Sequence, residues 1–207
     1  MIKFPNKKYS KIEDFFKDYS KELINCFTKT NIKLLKITKQ QLKKKYQTKN
    51  KIFVCGNGGS AAIANHFECD HKKILSETKK INPRIISLCS NNPLMSAISN
   101  DISYDHIFSK QLEYLSDSGD VLITISASGN SENIIQAIKF AKKKKMLVIS
   151  MTGFEGGRSK KLCDINLHVN SKNYGVIENI HHAYMNIISQ YIKIELISKK
   201  NISKNYF

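Results

Sequence analysis

The sequence contains no long hydrophobic run. No apolar stretch approaches the roughly 20 residues that a membrane-spanning helix needs, and residues 1–6 do not begin a signal peptide. The five cysteines are scattered and odd in number, which argues against a disulfide framework and against the paired spacing of a zinc finger. These absences predict a cytoplasmic protein with no membrane partner.

Arginine is almost absent, although the chain is strongly basic. The net charge is +17, but lysine supplies nearly all of it, and arginine occurs only at positions 84 and 158. Proteins that read nucleic acids favour arginine and interleaved aromatic side chains. Biased codon usage is a sufficient explanation for the many lysines, so we expect no nucleic-acid partner.

Apolar residues divide the chain into two parts. In residues 8–48 they recur at three- and four-residue steps, which predicts a helical segment before the first strand. Further on, short runs rich in Ile, Val and Leu alternate with longer segments of helical period. The predicted strands are 52–55, 85–89, 121–125, 146–151 and 165–169, and the predicted helices are 60–77, 104–115, 131–144 and 175–198. This alternation predicts an α/β fold with a parallel sheet covered on both faces.

The same pattern predicts one structural domain. We expect a helical segment at 1–50, the α/β core at 51–198 and a tail at 199–207, frayed from Asn201 onward.

Polar loops follow two of the predicted strands, where a parallel sheet usually binds its ligands. The first, Gly-Asn-Gly-Gly-Ser at 56–60, leads into a helix that Ser60 is expected to cap. Its glycines allow close approach, and the helix N-terminus attracts an anion. The second loop, Ser-Ala-Ser-Gly-Asn-Ser at 126–131, places three hydroxyl groups and an amide before another helix.

Neither loop fits a nucleotide-binding motif. The Walker motif needs Gly-Lys-Ser/Thr, and the dinucleotide motif needs G-x-G-x-x-G. A single loop of this composition is more often an ordinary capped turn, but two at the ends of strands in one sheet point to a phosphate. The sequence therefore predicts a phosphorylated small molecule as ligand and no nucleotide cofactor.

Several motifs occur together in a distinctive order. They are Cys-Gly-Asn-Gly-Gly-Ser-Ala-Ala from Cys55, Asn65-His66-Phe67, Asn100-Asp101, the loop at 126–131, and Thr-Gly-Phe-Glu-Gly-Gly at 152–157. Over about residues 10–198 the chain resembles the SIS (sugar isomerase) fold and, within it, the phosphoheptose isomerases. These enzymes interconvert sedoheptulose 7-phosphate and D-glycero-D-manno-heptose 7-phosphate.

The resemblance implies a five-stranded parallel sheet flanked by helices, with an N-terminal helical extension. It also implies a homotetramer or dimer with active sites at subunit interfaces, and a product used for lipopolysaccharide, capsule or related glycans. The phosphosugar contacts that it implies are Asn57, Gly58, Gly59, Ser60, Asn100, Asp101, Ser126, Ser128 and Ser131.

The family's divalent metal site, usually zinc, would fall on His66 and on residues 70, 178 and 186. Here Asp70 stands in place of glutamate, Glu178 in place of glutamine and Asn186 in place of histidine. Ala127 likewise replaces a threonine. These departures affect the metal and acid–base positions directly.

Two pairs of residues spaced four apart suggest how a metal could be held despite the changes at positions 70, 178 and 186. His66 and Asp70 share one helix face, and Glu178 and His182 share another. Together they would offer two nitrogen and two carboxylate ligands for zinc, with His182 replacing the missing histidine. The alternative is that these are ordinary polar helix residues and that no metal binds.

Aldose–ketose isomerisation moves a proton between C1 and C2 through an enediol, and it needs a base and an acid or metal. Asp70 or Glu178 is the candidate base, and His181 is the candidate acid. Glu178 also fits a plain structural role in the first turn of its helix. His71 points about 100° away from Asp70 on an ideal helix and is not assigned to the site.

Three functions remain open from the sequence. The first is a phosphoheptose isomerase. The second is a non-catalytic SIS protein that binds a replication initiator, which Asn186 would fit. The third is an isomerase of another phosphosugar. The acids at positions 70 and 178 favour catalysis, because a pure binding module has no need of them.

Overall fold

A computed structural model of the chain describes residues 4–204, and a five-stranded sheet forms its centre. The strands are β1 (Lys51–Gly56), β2 (Arg84–Ser87), β3 (Val121–Ser126), β4 (Leu147–Thr152) and β5 (Ile165–His168). Their order is β2-β1-β3-β4-β5, and every neighbouring pair is parallel. The predicted α/β fold with a five-stranded parallel sheet is confirmed.

Helices cover the sheet. They are α1 (Ile12–Thr28), α2 (Ile32–Tyr46), α3 (Gly59–Ser76), α4 (Asn92–Asp101), α5 (Ser109–Leu115), α6 (Glu132–Lys143), α7 (Gly157–Leu162) and α8 (Tyr174–Leu196). All six residues of β3 are buried, as expected for a central strand with helices on both faces. None of the helices within residues 4–204 has the length and apolar character required to cross a membrane.

Three details of the predicted helices were wrong. The helical segment expected at 8–48 is divided into two helices by residues 29–31, where the Asn31 side chain caps α2 by accepting the N–H of Leu34 at 3.1 Å. Helices α4 and α7 were missed altogether. Residues 199–204, assigned to a tail that frays from Asn201 onward, form a 3₁₀ helix, and residues 205–207 lie outside the described part of the chain.

Helices α3 and α8 lie beside each other, and a buried histidine joins them. His71 Nε2 lies 3.2 Å from the carbonyl oxygen of Met185, and its Nδ1 lies 2.6 Å from the hydroxyl of Tyr46. Since a carbonyl only accepts, Nε2 carries the proton and Nδ1 accepts from Tyr46. This contact fixes the register of the two helices that carry the candidate acid–base residues.

Candidate active site

The first loop turns sharply where β1 ends. Gly58 has a φ of +55° and immediately precedes α3, a conformation that favours glycine. A Cβ at Gly58 would meet no atom within 4 Å, so the loop is open at this point. The expected cap by Ser60 was wrong, because Ser60 lies inside the first turn, is only 4% exposed and makes no capping bond.

The second loop, residues 126–131, is called the serine loop below. Its turn is closed by the N–H of Gly129, which donates to the carbonyl (3.1 Å) and hydroxyl (3.2 Å) oxygens of Ser126. The N–H of Asn130 donates to the hydroxyl of Ser128 at 3.3 Å. Ser131 flanks the start of α6 without making a side-chain capping bond. Its hydroxyl therefore lies at a helix N-terminus, where an anion is favoured.

A pair of amides connects the two loops. Strands β1 and β3 are neighbours, so their ends lie side by side. Asn57 Nδ2 donates to the side-chain oxygen of Asn133 at 2.9 Å, and Asn133 Nδ2 donates back at 3.0 Å. The hydroxyl of Tyr104 donates to the same Asn57 oxygen at 3.1 Å. Asn133 and Tyr104 were missed; an asparagine in the first turn after a polar loop was the available signal for Asn133.

Asn100 and Asp101 lie in the last turn of α4, and both are exposed. Asn100 Nδ2 donates to the Asp101 carboxylate at 2.8 Å. Asn100, Ser96, Ser99 and Tyr104 line part of a cleft of about 490 Å³. Tyr104 also contacts Asn57, so this cleft opens beside the first loop.

Glu178 is the fifth residue of α8, so its predicted place in the first turn of that helix was wrong, and it lies against the first turn of α3. A Cβ at Gly59 would lie 2.7 Å from Glu178 Oε2, which places the carboxylate directly on that glycine. The N-terminus of a helix favours negative charge, so this position suits a carboxylate. It also brings Glu178 to the edge of the first loop.

Further along the same helices, His66 and Asp70 form the predicted pair. His66 Nε2 lies 2.9 Å from Asp70 Oδ2, and the side chains are 43% and 23% exposed. The His182 ring meets the His66 ring edge-to-face, with 4.5 Å between centroids. Burial, and then His66, lower the pKa of His182. Its buried Nε2 has no hydrogen-bond partner among residues 4–204.

The four predicted zinc ligands do not converge. Asp70 follows Gly59 by 11 residues, or about 16 Å along the helix, whereas the Glu178 carboxylate lies at Gly59. In the described part of the chain, no group of three or more His, Cys, Asp or Glu side chains is arranged to hold a metal ion. The geometry of one chain therefore does not fit the zinc site proposed from the sequence.

His181 was wrong as a candidate acid. It is fully buried, and its Nε2 donates to the carbonyl oxygen of Thr152 at 3.2 Å. Burial lowers its pKa to about 4. His181 lies next to His182 in sequence, but about 100° around the helix, which turns it toward the sheet and away from His66.

Comparison with known proteins identifies the family. The model of the SIS domain matches residues 15–153. A phosphoheptose isomerase of Aliarcobacter butzleri is 42% identical over 147 residues, which cover 71% of this chain and 77% of the relative. The chain belongs to the phosphoheptose isomerase family.

Other members of the phosphoheptose isomerase family extend the match. One from Maridesulfovibrio salexigens is 34% identical over 87% of this chain and 83% of its own. The solved phosphoheptose isomerase of Neisseria gonorrhoeae superposes with a TM-score of 0.81 at 29% identity, covering 88% of this chain and 97% of that one. The five-stranded sheet flanked by helices is thus the SIS fold.

The SIS match includes both polar loops but ends before α8. Asn57, the serine loop and Asp70 therefore lie within the range that defines the family. Glu178 and His182 lie beyond it. Of the two candidate bases, the SIS match therefore covers Asp70 but not Glu178.

Proposed function

We propose that this protein is a phosphosugar aldose–ketose isomerase that converts sedoheptulose 7-phosphate to D-glycero-D-manno-heptose 7-phosphate. The observation that carries the proposal is the junction of the two polar loops through Asn57 and Asn133, beside which the Glu178 carboxylate packs against the first turn of α3. The phosphoheptose isomerases to which the chain is related support this substrate. Its product would serve surface-glycan synthesis.

The serine loop is the proposed phosphate site. Ser126, Ser128 and Ser131 bring hydroxyl groups to the N-terminal end of α6, where N–H groups without helical partners and the helix dipole also favour an anion. Asn57 and Tyr104 lie between this loop and the cleft beside α4. They are therefore placed to contact the sugar hydroxyl groups.

The reaction requires a base, and the candidates are the carboxylates of Asp70 on α3 and Glu178 on α8. The base removes a proton from C1 of the ketose, the C–H electron pair forms the enediol double bond, and the C2 carbonyl oxygen takes up a proton. Return of a proton to C2, with loss of the C1 hydroxyl proton, gives the aldose. Glu178 lies nearest to the loops, and Asp70 occupies the position of the family's glutamate.

Two substitutions assign the base. Asp70→Asn and Glu178→Gln each remove one carboxylate while keeping the shape of the side chain. With sedoheptulose 7-phosphate as substrate, loss of the base should lower kcat by at least about 100-fold, and the other variant should retain most activity. The reaction is followed by the appearance of aldoheptose phosphate, and circular dichroism checks that each variant is folded.

Other outcomes would redirect the proposal. If both variants keep full activity, neither carboxylate is the base. If the folded wild-type chain binds the phosphosugar but does not convert it, the non-catalytic alternative, a protein that binds a replication initiator, is favoured. If only another ketose phosphate is converted, the substrate is wrong but the reaction class stands.

Zinc remains a prediction from the family resemblance and from the spacing of the two residue pairs. His66, Asp70, Glu178 and His182 would have to rearrange to surround one ion, because the Glu178 carboxylate lies far from Asp70. We therefore derive no catalytic step through a metal.

We also propose that the chain associates with copies of itself. Ile12, Phe16 and Ile32 of the first two helices are 72%, 71% and 67% exposed. Ile187 and Tyr191 of α8, which are also exposed, line an apolar groove of about 380 Å³ together with Ile32. Exposed apolar surface of this kind is typical of protein interfaces. Sedimentation velocity measures the assembly, and a monomer at all concentrations would contradict the proposal.

A further inference from the structure

The segment after β4 packs against the serine loop and donates hydrogen bonds to its backbone. The N–H of Gly153 donates to the carbonyl oxygen of Ala127 at 2.8 Å, and the N–H of Ser159 donates to that of Gly129 at 2.9 Å. We call residues 153–159, which comprise the loop after β4 and the first three residues of α7, the supporting loop. Its donors occupy backbone acceptors of the serine loop, so those carbonyl groups are directed away from an incoming anion.

The two loops pack too closely for side chains at their glycines. A Cβ at Gly129 would lie 2.1 Å from the carbonyl oxygen of Gly156, and a Cβ at Gly157 would lie 2.5 Å from that of Ser128. Such distances are far below van der Waals contact, so the backbones touch directly. The position of the serine loop therefore depends on the supporting loop.

Arg158 is the charged residue of this contact. Its Nη2 donates to the carbonyl oxygen of Asn130 at 2.7 Å and to Glu132 Oε2 at 2.8 Å. Its backbone N–H donates to the side-chain oxygen of Asn130 at 3.0 Å. One residue thus binds the serine loop and the first turn of α6 at three points.

Glu132 poses an electrostatic problem for a phosphate site. It lies in the first turn of α6, directly after Ser131, where its negative charge would oppose that of a phosphate. The ion pair with Arg158 offsets this charge, and the hydrogen bond from Arg158 holds the pKa of Glu132 below its usual range. The carboxylate therefore stays ionised and its charge is balanced by the guanidinium.

We propose that Arg158 is a positioning residue for phosphate binding: it fixes Asn130 and neutralises Glu132 at the mouth of the serine loop. This inference rests on the proposed function, because it assumes that the phosphate of the substrate occupies the serine loop. A lysine would retain the charge, but its flexible ammonium would not fix the direction of the two Nη2 hydrogen bonds as the planar guanidinium does.

Binding of inorganic phosphate, measured by calorimetry at fixed ionic strength, tests the proposal without relying on turnover. Arg158→Gln should weaken binding about tenfold, which corresponds to about 1.4 kcal/mol. Arg158→Lys should fall between this variant and the wild type. The matched control is Arg84→Gln, which removes the same charge at a distant position. Arg84 donates to the carbonyl oxygen of Lys49, beside the start of β1. This control variant should bind phosphate as tightly as the wild type does.

The double variant Glu132→Gln/Arg158→Gln separates neutralisation from direct contact with phosphate. Binding should return to within about threefold of the wild type, because no uncompensated carboxylate remains. Glu132→Gln alone should bind phosphate at least as tightly as the wild type, which keeps the test valid even if Arg158 variants do not fold.

Three results would overturn the inference. Arg158→Gln could bind phosphate as tightly as Arg84→Gln, its loss could persist in the double variant, or Glu132→Gln alone could weaken binding tenfold. A wild-type chain that binds no phosphate would instead refute the proposed function and this inference with it. Arg158→Gln should also raise KM for the phosphosugar with little change in kcat, unlike loss of a catalytic base.

Discussion

Acid should destabilise this protein through His71, which is completely buried between α3 and α8. Burial lowers its pKa from an ordinary value of 6.5 to about 3. The unfolded chain therefore binds a proton between these two values, whereas the folded chain does not. The stabilisation is fully present above pH 6.5 and is lost as the pH falls toward 3.

The size of the effect follows from the two pKa values. At pH 5.0 an unfolded histidine is almost fully protonated, whereas the folded His71 is not. The free energy of unfolding is therefore about 2 kcal/mol lower at pH 5.0 than at pH 7.5. His181, whose pKa burial lowers to about 4, should add about 2 kcal/mol by the same reasoning. Together they remove a large part of the stability of a typical domain.

Urea unfolding at pH 7.5 and 5.0, at one protein concentration, measures the effect. His71→Gln cannot titrate but retains a donor and an acceptor for Met185 and Tyr46. The loss of unfolding free energy between the two pH values should be about 2 kcal/mol smaller in this variant than in the wild type. An equal loss in both proteins would refute the reasoning, because it would mean that His71 has the same pKa folded and unfolded.

Two further predictions concern the loops and the metal. Gly129→Ala should lower the free energy of unfolding by about 1–3 kcal/mol more than Gly58→Ala. Both glycines have positive φ, but a Cβ at Gly129 would also meet the backbone of Gly156. Equal losses for the two variants in chemical denaturation would show that the two loops can move apart at little cost. Because the predicted zinc ligands do not converge, treatment with EDTA should leave the melting temperature unchanged, as measured by calorimetry. Stoichiometric zinc that disappears in Asp70→Ala/His182→Ala would show that these side chains rearrange to bind it.

The sheet could be predicted because each strand is a continuous apolar run. Strand β3, expected at 121–125, is observed at Val121–Ser126 and is buried on both faces. Helix boundaries were less predictable, because local capping decided them. Asn31 divides the N-terminal helix by accepting one backbone N–H, a contact that the surrounding apolar pattern conceals.

The candidate site was predictable where it depends on local backbone chemistry and not where it depends on packing. Gly58 and the serines at 126–131 act within the turns that they form themselves. Their positions could therefore be predicted from the sequence. His181 and His182 are neighbours in sequence, yet one faces the sheet and the other meets His66. The rotation of α8 against α3 determines which of them is accessible.

By itself, the sequence determined a parallel α/β fold with two polar loops at the ends of its strands, because strand, turn and helix signals are local. Tertiary structure alone decided that Asn133 joins those loops, that Arg158 bonds to one of them, and that Glu178 lies apart from the other predicted metal ligands. The physical reason is that these contacts connect residues far apart in the chain. Their distances depend on how the helices pack, and no sequence spacing encodes that packing.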